Sequence, residues 1–288
     1  MRLKKFIPLI VVFVILIVGA CGAFAYYITS RQTIEYCKVD GRKASKNEAK
    51  NSSPVIVNNI LVGATYKNKW VDADSFFENS PKSPIKISTF IDAGKTGAYD
   101  VKEYRKNPDG HKEIFVDTTY KNFKSEYVAV AGEAEEIMQR KLEELDKDNY
   151  KEYEKYISKA LRKLAVPNKT VKIRHVYDCE LYEGTRGELV VATSKSQREK
   201  GIYSAICYVE NGKSTLIKLS YIKDLTKSAL WPMYDVKFMC DLNKDNKYEI
   251  VVEEVTEFDV KYSVLEKRNN DFVEVIGAIS EVKSKKQK

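Results

Sequence analysis

The chain has 288 residues, of which 43% are hydrophobic and 31% are charged. This is ample for one large or two modest domains with their own cores, and it excludes a miniature fold that depends on disulfide staples. The formal net charge is +8, with the basic residues dispersed except for a tail over residues 283–288. The simplest interpretation is a solvated surface with a frayed end, and the alternative is attraction to anionic lipids or wall polymers.

The first 29 residues predict a membrane anchor. Arg2, Lys4 and Lys5 precede an uncharged apolar run over residues 6–28. This run is long enough to cross a hydrocarbon core of ~30 Å as a helix. Basic residues on the short N-terminal side place that side in the cytoplasm, so we expect a single-pass protein whose body lies outside the cell membrane. This topology disfavours nucleic acid as a partner.

A lipoprotein signal is a second interpretation of the same segment. The sequence IVGAC, residues 17–21, resembles a bacterial lipobox, in which the chain is cleaved before Cys21 and this cysteine is lipidated. The apolar run continues beyond Cys21, however, and Tyr26 and Tyr27 stand where an interfacial aromatic belt would lie. This continuation favours the uncleaved anchor. Both interpretations tether the body to the outer face of the membrane.

The remaining cysteines are few and widely spaced. Their even number suits an oxidising compartment and allows one disulfide, but no CxxC spacing occurs. We therefore interpret most of them as buried apolar side chains. They are Cys37, Cys179, Cys207 and Cys240.

The exposed body begins with two segments of different character. Residues 30–53 are polar and predict a spacer that stands the body off from the bilayer. Residues 54–130 alternate β-rich runs with turns such as NPDGH at residues 107–111. This alternation predicts a small antiparallel sheet or barrel.

Helix signals dominate residues 131–167. Apolar residues recur at helical spacing from Tyr153 to Leu164 and form one stripe, and Pro167 ends the pattern. Asn149 and Glu152 resemble a capping box. We expect this helix to pack on the neighbouring sheet. Residues 132–148 allow a further helix, although their periodicity is poorer.

Residues 168–282 contain an internal repeat. Each copy has an apolar strand, an acidic turn, a glutamate followed by three aliphatic residues, the pair Tyr-Ser and two further strand segments. The offsets from Glu188 to Tyr203 and from Glu249 to Tyr262 agree to within two residues. Each copy therefore predicts a three- or four-stranded antiparallel unit that resembles a propeller blade.

The predicted fold is mainly β with one or two helices, in the α+β class. Its order is the anchor, the small β domain, the helix and then the two blade-like units. Two units are too few to close a propeller. We therefore expect them to pair into a small sandwich that is capped by the helix.

The sequence DLNKDNKYEIVV in the second copy predicts a metal loop. Oxygen-bearing side chains alternate at Asp241, Asn243 and Asp245, and Glu249 would close the site from the next strand. The carbonyl of Lys247 can supply another oxygen, which suits the six to eight oxygen ligands of calcium. Three carboxylates this close repel one another unless a cation or solvent screens them. The alternative is a solvated acidic turn without an ion.

This loop resembles those of FG-GAP and VCBS-type repeats, written D-x-[DN]-x-D-G-x-x-[DE] before an aliphatic strand. The wider layout, from Tyr150 onward, resembles membrane-anchored or lipoprotein-type extracytoplasmic proteins of Gram-positive bacteria, over about half of the chain. The resemblance implies a calcium-stabilised β structure outside the cell and implies no reaction. The sequence departs from the pattern at Asn246, where the family prefers Gly for its positive φ, and Asn is the least costly substitute.

The first copy carries a degraded version of this loop. Its acidic residues are Asp178, Glu180, Glu183 and Glu188, but two extra residues separate the first aspartate from the final glutamate. We therefore expect weak metal binding or none in the first copy.

The case for catalysis is thin. The two histidines are His111 and His175, and HExxH, GxSxG, P-loop and GxGxxG motifs are missing from the sequence. His175 and Cys179 can share one face of a strand, although a thiol in an apolar strand is more often inert.

The expected function is therefore non-catalytic. We expect a membrane-tethered binding or accessory protein of the cell envelope, whose partner is an envelope protein or an anionic wall polymer. One alternative is a hydrolase acting on the cell wall or on polysaccharide, and another is a purely structural subunit of an envelope complex. A deep cleft lined by two facing carboxylates and aromatic side chains would favour the hydrolase.

Overall fold

The computed structural model describes residues 33–40, 43–79, 85–91, 94–106, 114–118, 126–131, 139–195, 201–223, 233–256 and 259–281. The predicted anchor, Cys21, His111 and the basic tail lie outside these residues. Within the described ranges, no helix is both long and apolar enough to cross a membrane. These ranges are mainly β, with antiparallel sheets and three helices, in agreement with the α+β class.

The helices are short apart from the third. They are α1 (Lys46–Lys50), α2 (Ala73–Asn79) and α3 (Tyr150–Lys163). The strands are β1 (Thr33–Tyr36), β2 (Ser53–Val57), β3 (Ile60–Tyr66), β4 (Lys69–Asp72), β5 (Ile85–Ile91), β6 (Gly94–Lys106), β7 (Ile114–Thr118), β8 (Val128–Ala131), β9 (Gln139–Arg140), β10 (Glu143–Glu144), β11 (Lys172–Tyr182), β12 (Thr185–Thr193), β13 (Ile202–Glu210), β14 (Lys213–Ile222), β15 (Met233–Cys240), β16 (Glu249–Val255), β17 (Asp259–Arg268) and β18 (Asp271–Glu281).

The two copies of the repeat form two facing sheets. Strands β11–β14 and strands β15–β18 each pair in sequence order as an antiparallel meander. The first repeat sheet (β11–β14 with β1 and β10) and the second repeat sheet (β15–β18 with β9) share one apolar cluster, in which Cys179 Sγ lies 3.4 Å from Met239 Sδ. The two sheets therefore pack as a sandwich, and they do not close a propeller.

Helix α3 packs on the outer face of the first repeat sheet. The predicted apolar stripe faces that sheet, since Tyr153, Ile157 and Leu161 are buried in one cluster with its strands. A 3-10 turn, Lys147–Asn149, leads into the helix, and the carboxylate of Asp146 accepts the N–H of Asp148 at 3.3 Å. The helix thus caps the sandwich, as the apolar periodicity indicates.

Strands β2–β8 form a small barrel against the outer face of the second repeat sheet. Their order is β2-β8-β5-β6-β7-β3-β4, and an additional pairing of β2 with β3 closes the ring. Ala49 of α1 and Phe76 of α2 pack into a cluster with Ile56 and Leu61 of this barrel. Residues 54–130 therefore add a third β layer to the sandwich.

The barrel and the second repeat sheet lie in close contact at Gly63 of β3. A Cβ atom at this position would lie 2.7 Å from Ile276 Cγ2 and 2.8 Å from the carbonyl oxygen of Val71. Both distances are far below van der Waals contact, so only glycine lets the two layers meet there. Trp70 of β4 spans the same contact, because its indole Nε1 donates to Glu266 Oε2 of β17 at 2.8 Å.

The predicted spacer over residues 30–53 is wrong in its described part. Strand β1 pairs antiparallel with β14 at the edge of the first repeat sheet. The chain then crosses to the second repeat sheet, where the N–H of Asp40 donates to the carbonyl of Glu274 at 2.8 Å. We call residues 33–40 the N-terminal strap. The strap could not be predicted from its polar composition, because the sheet edges with which it pairs lie far along the chain.

A second strap, residues 139–144, lies on the opposite side of the sandwich. Strand β9 pairs with β15 of the second repeat sheet, and β10 pairs with β11 of the first. The further helix allowed over residues 132–148 is therefore wrong in its described part, because the two sheet edges supply partners that favour extended backbone. The two straps together cover part of every edge of the sandwich.

A buried ionic cluster lies beneath the N-terminal strap. Lys218 is only 1% exposed, and its ammonium group lies 2.9 Å from Glu274 Oε2 and 2.8 Å from Ser263 Oγ. Lys261 approaches Glu274 Oε1 at 2.9 Å. Burial by itself raises the pKa of Glu274, but the two ammonium groups outweigh it and lower that pKa to about 2. No local sequence pattern points to this cluster.

The described cysteines are all unpaired thiols. Cys179, Cys207 and Cys240 are buried, and Cys37 of the N-terminal strap is half-buried. Burial raises the pKa of the Cys37 thiol to about 11. These cysteines therefore act as apolar packing groups, in line with the interpretation of the sequence.

Candidate metal-binding loop

The acidic loop, residues 241–248, joins β15 to β16 and turns its polar side chains inward. Asp241 is 2% exposed, Asn243 is 4% exposed, and Glu249 at the start of β16 is fully buried. Aspartate and glutamate are almost never buried this far unless they have a partner. The partners of these side chains therefore decide what the loop can do.

The backbone of the loop donates hydrogen bonds to three of its own side chains. Asp241 accepts the N–H of Asp245 with Oδ1 and the N–H of Asn246 with Oδ2, both at 3.0 Å. Asn243 Oδ1 also accepts the N–H of Asp245 at 3.0 Å. Lys247 donates its N–H to Asp245 Oδ1 at 3.0 Å, and its ammonium group lies 3.6 Å from Asp245 Oδ2.

The backbone of the loop adopts the conformation that the sequence pattern requires. Asn246 has a φ of 65°, and Lys244 has a φ of 64°. The prediction of a positive φ at Asn246 is confirmed. An asparagine at this position thus replaces the usual glycine without preventing the turn, because Asn tolerates the left-handed region better than most side chains.

Glu249 has one oxygen without a partner. Its Oε2 accepts the N–H of Leu242 at 2.8 Å, whereas its Oε1 is buried and has no hydrogen bond. Burial, and then the carboxylates of Asp245 and Asp241, raises the pKa of Glu249 well above its usual range. Burial also raises the pKa of Asp241, despite the backbone hydrogen bonds that it accepts. A cation beside Oε1 would relieve both penalties.

The predicted ligands are mixed oxygens that do not form a cluster of metal-binding side chains in this structure. Within the described residues, no three His, Cys, Asp or Glu side chains converge closely enough to form a metal cluster. To bind a cation, the loop would have to draw the carboxylates of Asp241, Asp245 and Glu249 closer together around it, with the amide oxygen of Asn243 and the carbonyl of Lys247 as further ligands. Such hard oxygens suit calcium, and the partnerless Oε1 of Glu249 meets the chemistry of that ion.

The first repeat copy pairs two of its acidic residues with arginines. Arg186 holds Asp178 through two hydrogen bonds, of 3.0 Å from Nε and 2.7 Å from Nη2, and this guanidinium lowers the pKa of Asp178. Arg140 of the second strap forms an ion pair with Glu180. In the first copy, Asp178 and Glu180 are thus paired with guanidinium groups, whereas the carboxylates of the acidic loop have no arginine partner among the described residues.

The barrel contributes residues beside the loop that the sequence does not indicate. Asn68, in the turn between β3 and β4, donates from Nδ2 to the carbonyl of Lys244 at 3.4 Å. A small polar cavity of about 130 Å³ separates this turn from Asn243 and Asp245. No local signal could have found these residues, because they lie far from the loop in the chain and reach it only through the packing of the barrel.

A second cavity, of about 410 Å³, opens between β11 and β15. It contains Asp235 and Glu253, which are paired across β15 and β16. The Lys237 ammonium group lies 3.2 Å from Asp235 Oδ2 and 3.0 Å from Glu253 Oε2, so it bridges the two carboxylates. No sequence motif singles out this pair.

His175 and Cys179 do not form a catalytic pair. Both lie on β11, and the ring of Tyr177 between them stacks on His175 with centroids 5.7 Å apart. Four residues of strand separate the two side chains by about 13 Å. The His175 ring contacts Glu144 at 3.0 Å, while the Cys179 thiol is buried in the core of the sandwich.

Comparison with known proteins gives no assignment for this arrangement. The chain shows no match to a protein family, to a curated protein or to a solved structure. The function must therefore be argued from the geometry of the loop and from the layout of the chain.

Proposed function

We propose that this chain is a membrane-tethered extracytoplasmic binding or accessory protein of the cell envelope, without catalytic activity, whose repeat sandwich is stabilised by calcium. The observation that carries the calcium assignment is the buried, partnerless Oε1 of Glu249, a carboxyl group whose pKa is raised by burial and by the carboxylates of Asp245 and Asp241. Its partner would be an envelope protein or an anionic wall polymer, and the apolar run over residues 6–28 would be the tether.

The resemblance to FG-GAP and VCBS-type repeats supports the same proposal. Each copy is a four-stranded antiparallel meander, which is the form of a propeller blade. The loop that carries the metal pattern joins the first two strands of its meander and has the positive φ at Asn246. An ion there would join the ends of β15 and β16, so its role would be structural.

Calcium is expected to raise the melting temperature of the full-length protein in detergent. Extracellular modules bind calcium at roughly 10⁻⁴–10⁻³ M, so about 10 mM is enough to fill the loop. At ten times the dissociation constant, calcium adds about 1.4 kcal/mol of stability by mass action. For a chain of this size the gain corresponds to about 3–5 °C. Scanning calorimetry with calcium or with chelator measures it.

Two matched variants assign this gain to the loop. Asp245→Ala is expected to abolish the calcium increment, because it removes a ligand. Glu180→Ala, which removes a carboxylate of the first copy that Arg140 already neutralises, is expected to leave the increment unchanged. If calcium still raises the melting temperature of Asp245→Ala but not that of Glu180→Ala, the assignment is wrong. It is also wrong if calcium does not change the melting temperature of the native protein.

Protease added to intact protoplasts is expected to digest the body of the protein. The charge-free run after Arg2, Lys4 and Lys5 places everything after it outside the membrane. Immunoblotting with an antibody against the repeat sandwich follows the digestion, and lysed protoplasts provide the control. Full protection of the body in intact protoplasts would rule out the proposed topology.

A hydrolase is the second candidate, because the cavity between β11 and β15 holds two facing carboxylates. A glycosidase of this kind needs one carboxyl group that donates a proton while the other stays charged. The ammonium group of Lys237 pairs with both Asp235 and Glu253, so neither carboxylate is left free for a substrate, which supports the non-catalytic proposal instead. Activity on wall polysaccharide that disappears in Asp235→Asn or Glu253→Gln would favour the hydrolase.

A further inference from the structure

The N-terminal strap brings one end of the sandwich close to the proposed tether. Strand β1 begins at Thr33, only five residues after residue 28, where the apolar run ends. Five residues span at most about 18 Å even when fully extended. A flexible spacer as long as residues 30–53 would have let the sandwich lie several times farther from the end of the apolar run. The end of the first repeat sheet at which β1 begins must therefore stay near the point where the chain leaves the bilayer.

Both repeat sheets contribute to this end, which we call the Thr33 end. In the first repeat sheet, Thr33 pairs with Ile222, at the end of β14. In the second, the start of β15 lies beside it, because the N–H of Tyr234 donates to Ser204 Oγ at 3.1 Å. The acidic loop and the turn between β13 and β14 lie at the opposite end of the sandwich.

The exposed side chains of the Thr33 end suit the surface of an anionic membrane. Lys169, Lys172 and Lys223 are exposed there, and Lys169 and Lys172 form no ion pair with any described residue. Val255 is 37% exposed and Ile279 is 45% exposed at the same end of the second repeat sheet. Exposed lysines beside exposed aliphatic side chains are typical of surfaces that rest on lipid headgroups.

The surrounding charges do not cancel these lysines. Lys195, which is also at this end, is paired with Glu154 at 2.9 Å, so that pair is neutral. The acidic residues of the second repeat sheet at this end are Glu254, Asp259 and Glu281, and the first two of them are only partly exposed. Among the described residues, the exposed charge of the first repeat sheet at this end is therefore mainly positive.

We infer that the Thr33 end of the sandwich lies flat against the membrane and binds anionic lipid headgroups through Lys169 and Lys172. This inference rests on the proposed tether. It implies that the body has one fixed orientation on the membrane, whereas a long spacer would let the body move freely. The acidic loop then points away from the bilayer, and the opposite end of the sandwich faces the cell wall.

Energy transfer from the protein to labelled lipids tests this orientation in the full-length chain. A fluorescent donor is attached to a new cysteine at one of two positions. Lys213→Cys places it at the first residue of β14, and Lys223→Cys places it just after the last residue, so the two positions mark the two ends of one strand about 30 Å apart. Each variant is made in a background carrying Cys21→Ser and Cys37→Ser. In vesicles that contain an acceptor-labelled lipid, we expect strong transfer from position 223 and weak transfer from position 213.

Two controls separate failure of the inference from failure of the tether. Vesicle flotation is measured first, and protein that does not float with the vesicles contradicts the tether itself. Protein that floats but transfers energy equally from both positions has a freely tumbling body, which overturns the inference while leaving the tether intact.

Lipid charge tests the role of the lysines. Each lysine near an anionic surface raises the equilibrium constant for binding to that surface about five-fold. The double variant Lys169→Glu with Lys172→Glu is therefore expected to lower the equilibrium constant between the oriented and the free body at least about 25-fold. The loss should occur in phosphatidylglycerol vesicles and not in phosphatidylcholine vesicles. Lys159→Glu with Lys163→Glu, on α3, changes the charge equally away from this end and should have little effect. If energy transfer changes neither with lipid charge nor with Lys169→Glu and Lys172→Glu, these lysines do not bind headgroups and that part of the inference is wrong.

Discussion

Lys218→Met is expected to destabilise the protein by about 3 kcal/mol, which lowers the melting temperature by about 6–12 °C. The substitution leaves Glu274 buried between the two repeat sheets with only one of its ammonium partners. Removing one member of a buried ion pair typically costs about 3–5 kcal/mol, and the lower end applies because Lys261 stays within 2.9 Å of Glu274.

Thermal unfolding of three variants identifies the cause of the loss. Lys213→Met removes an exposed lysine from the same strand and should change the melting temperature little. Lys218→Met combined with Glu274→Gln should recover much of the lost stability, because the uncompensated charge is gone. If the double variant is no more stable than Lys218→Met, then lost packing rather than the charge of Glu274 explains the effect.

The pH dependence of the native protein follows from the same cluster. The folded pKa of Glu274 is lowered to about 2, below its unfolded value of about 4.3. A lowered folded pKa contributes stability that is fully present above the unfolded pKa and is lost as the pH falls toward the folded one. The difference in stability between the native protein and Glu274→Gln should therefore shrink between about pH 5 and pH 2.

Gly63→Val is expected to cost about 1–3 kcal/mol or more, and to loosen the contact between the barrel and the second repeat sheet. The new Cβ atom would lie within 3 Å of both Ile276 and the Val71 carbonyl, so one layer must move. Because Trp70 crosses this contact to Glu266, its environment should become more polar in the folded protein.

Tryptophan fluorescence measures this change directly. A Trp231→Phe background leaves Trp70 as the sole tryptophan, and its emission in the native state should shift to longer wavelength in Gly63→Val. Tyr66→Phe on the same strand is the control, since Tyr66 packs on the other apolar cluster of the barrel and the substitution adds no volume. Unchanged emission and an unchanged melting temperature in Gly63→Val would show that the layers are not held at this glycine.

Features with a local cause could be predicted from the sequence. The stripe from Tyr153 to Leu164 predicts α3 and its buried face, because helical periodicity is read within a few turns. The alternation at Asp241, Asn243 and Asp245 predicts a compact loop with a positive φ at Asn246, because the loop closes on its own backbone. The matching order of the two repeat copies predicts two similar β units.

Features that depend on distant partners could not be predicted. The strap over residues 33–40 has the composition of a spacer, and its partners are the edges of β14 and β18. The ionic cluster joins Lys218 to Glu274, and the loop is touched by Asn68 of the barrel. Each of these contacts exists only once whole sheets have packed, so no local pattern records them.

The N-terminal strap also sets an order of events during folding. Thr33 pairs with Ile222, and Val39 forms its bridge with Glu274, so a segment synthesised early has partners that are synthesised late. Contacts between such distant residues close long loops and form slowly. The strap should therefore dock last, after both repeat sheets have folded. Until then the edges of β14 and β18 stay open, and this interval is when the chain is most exposed to aggregation.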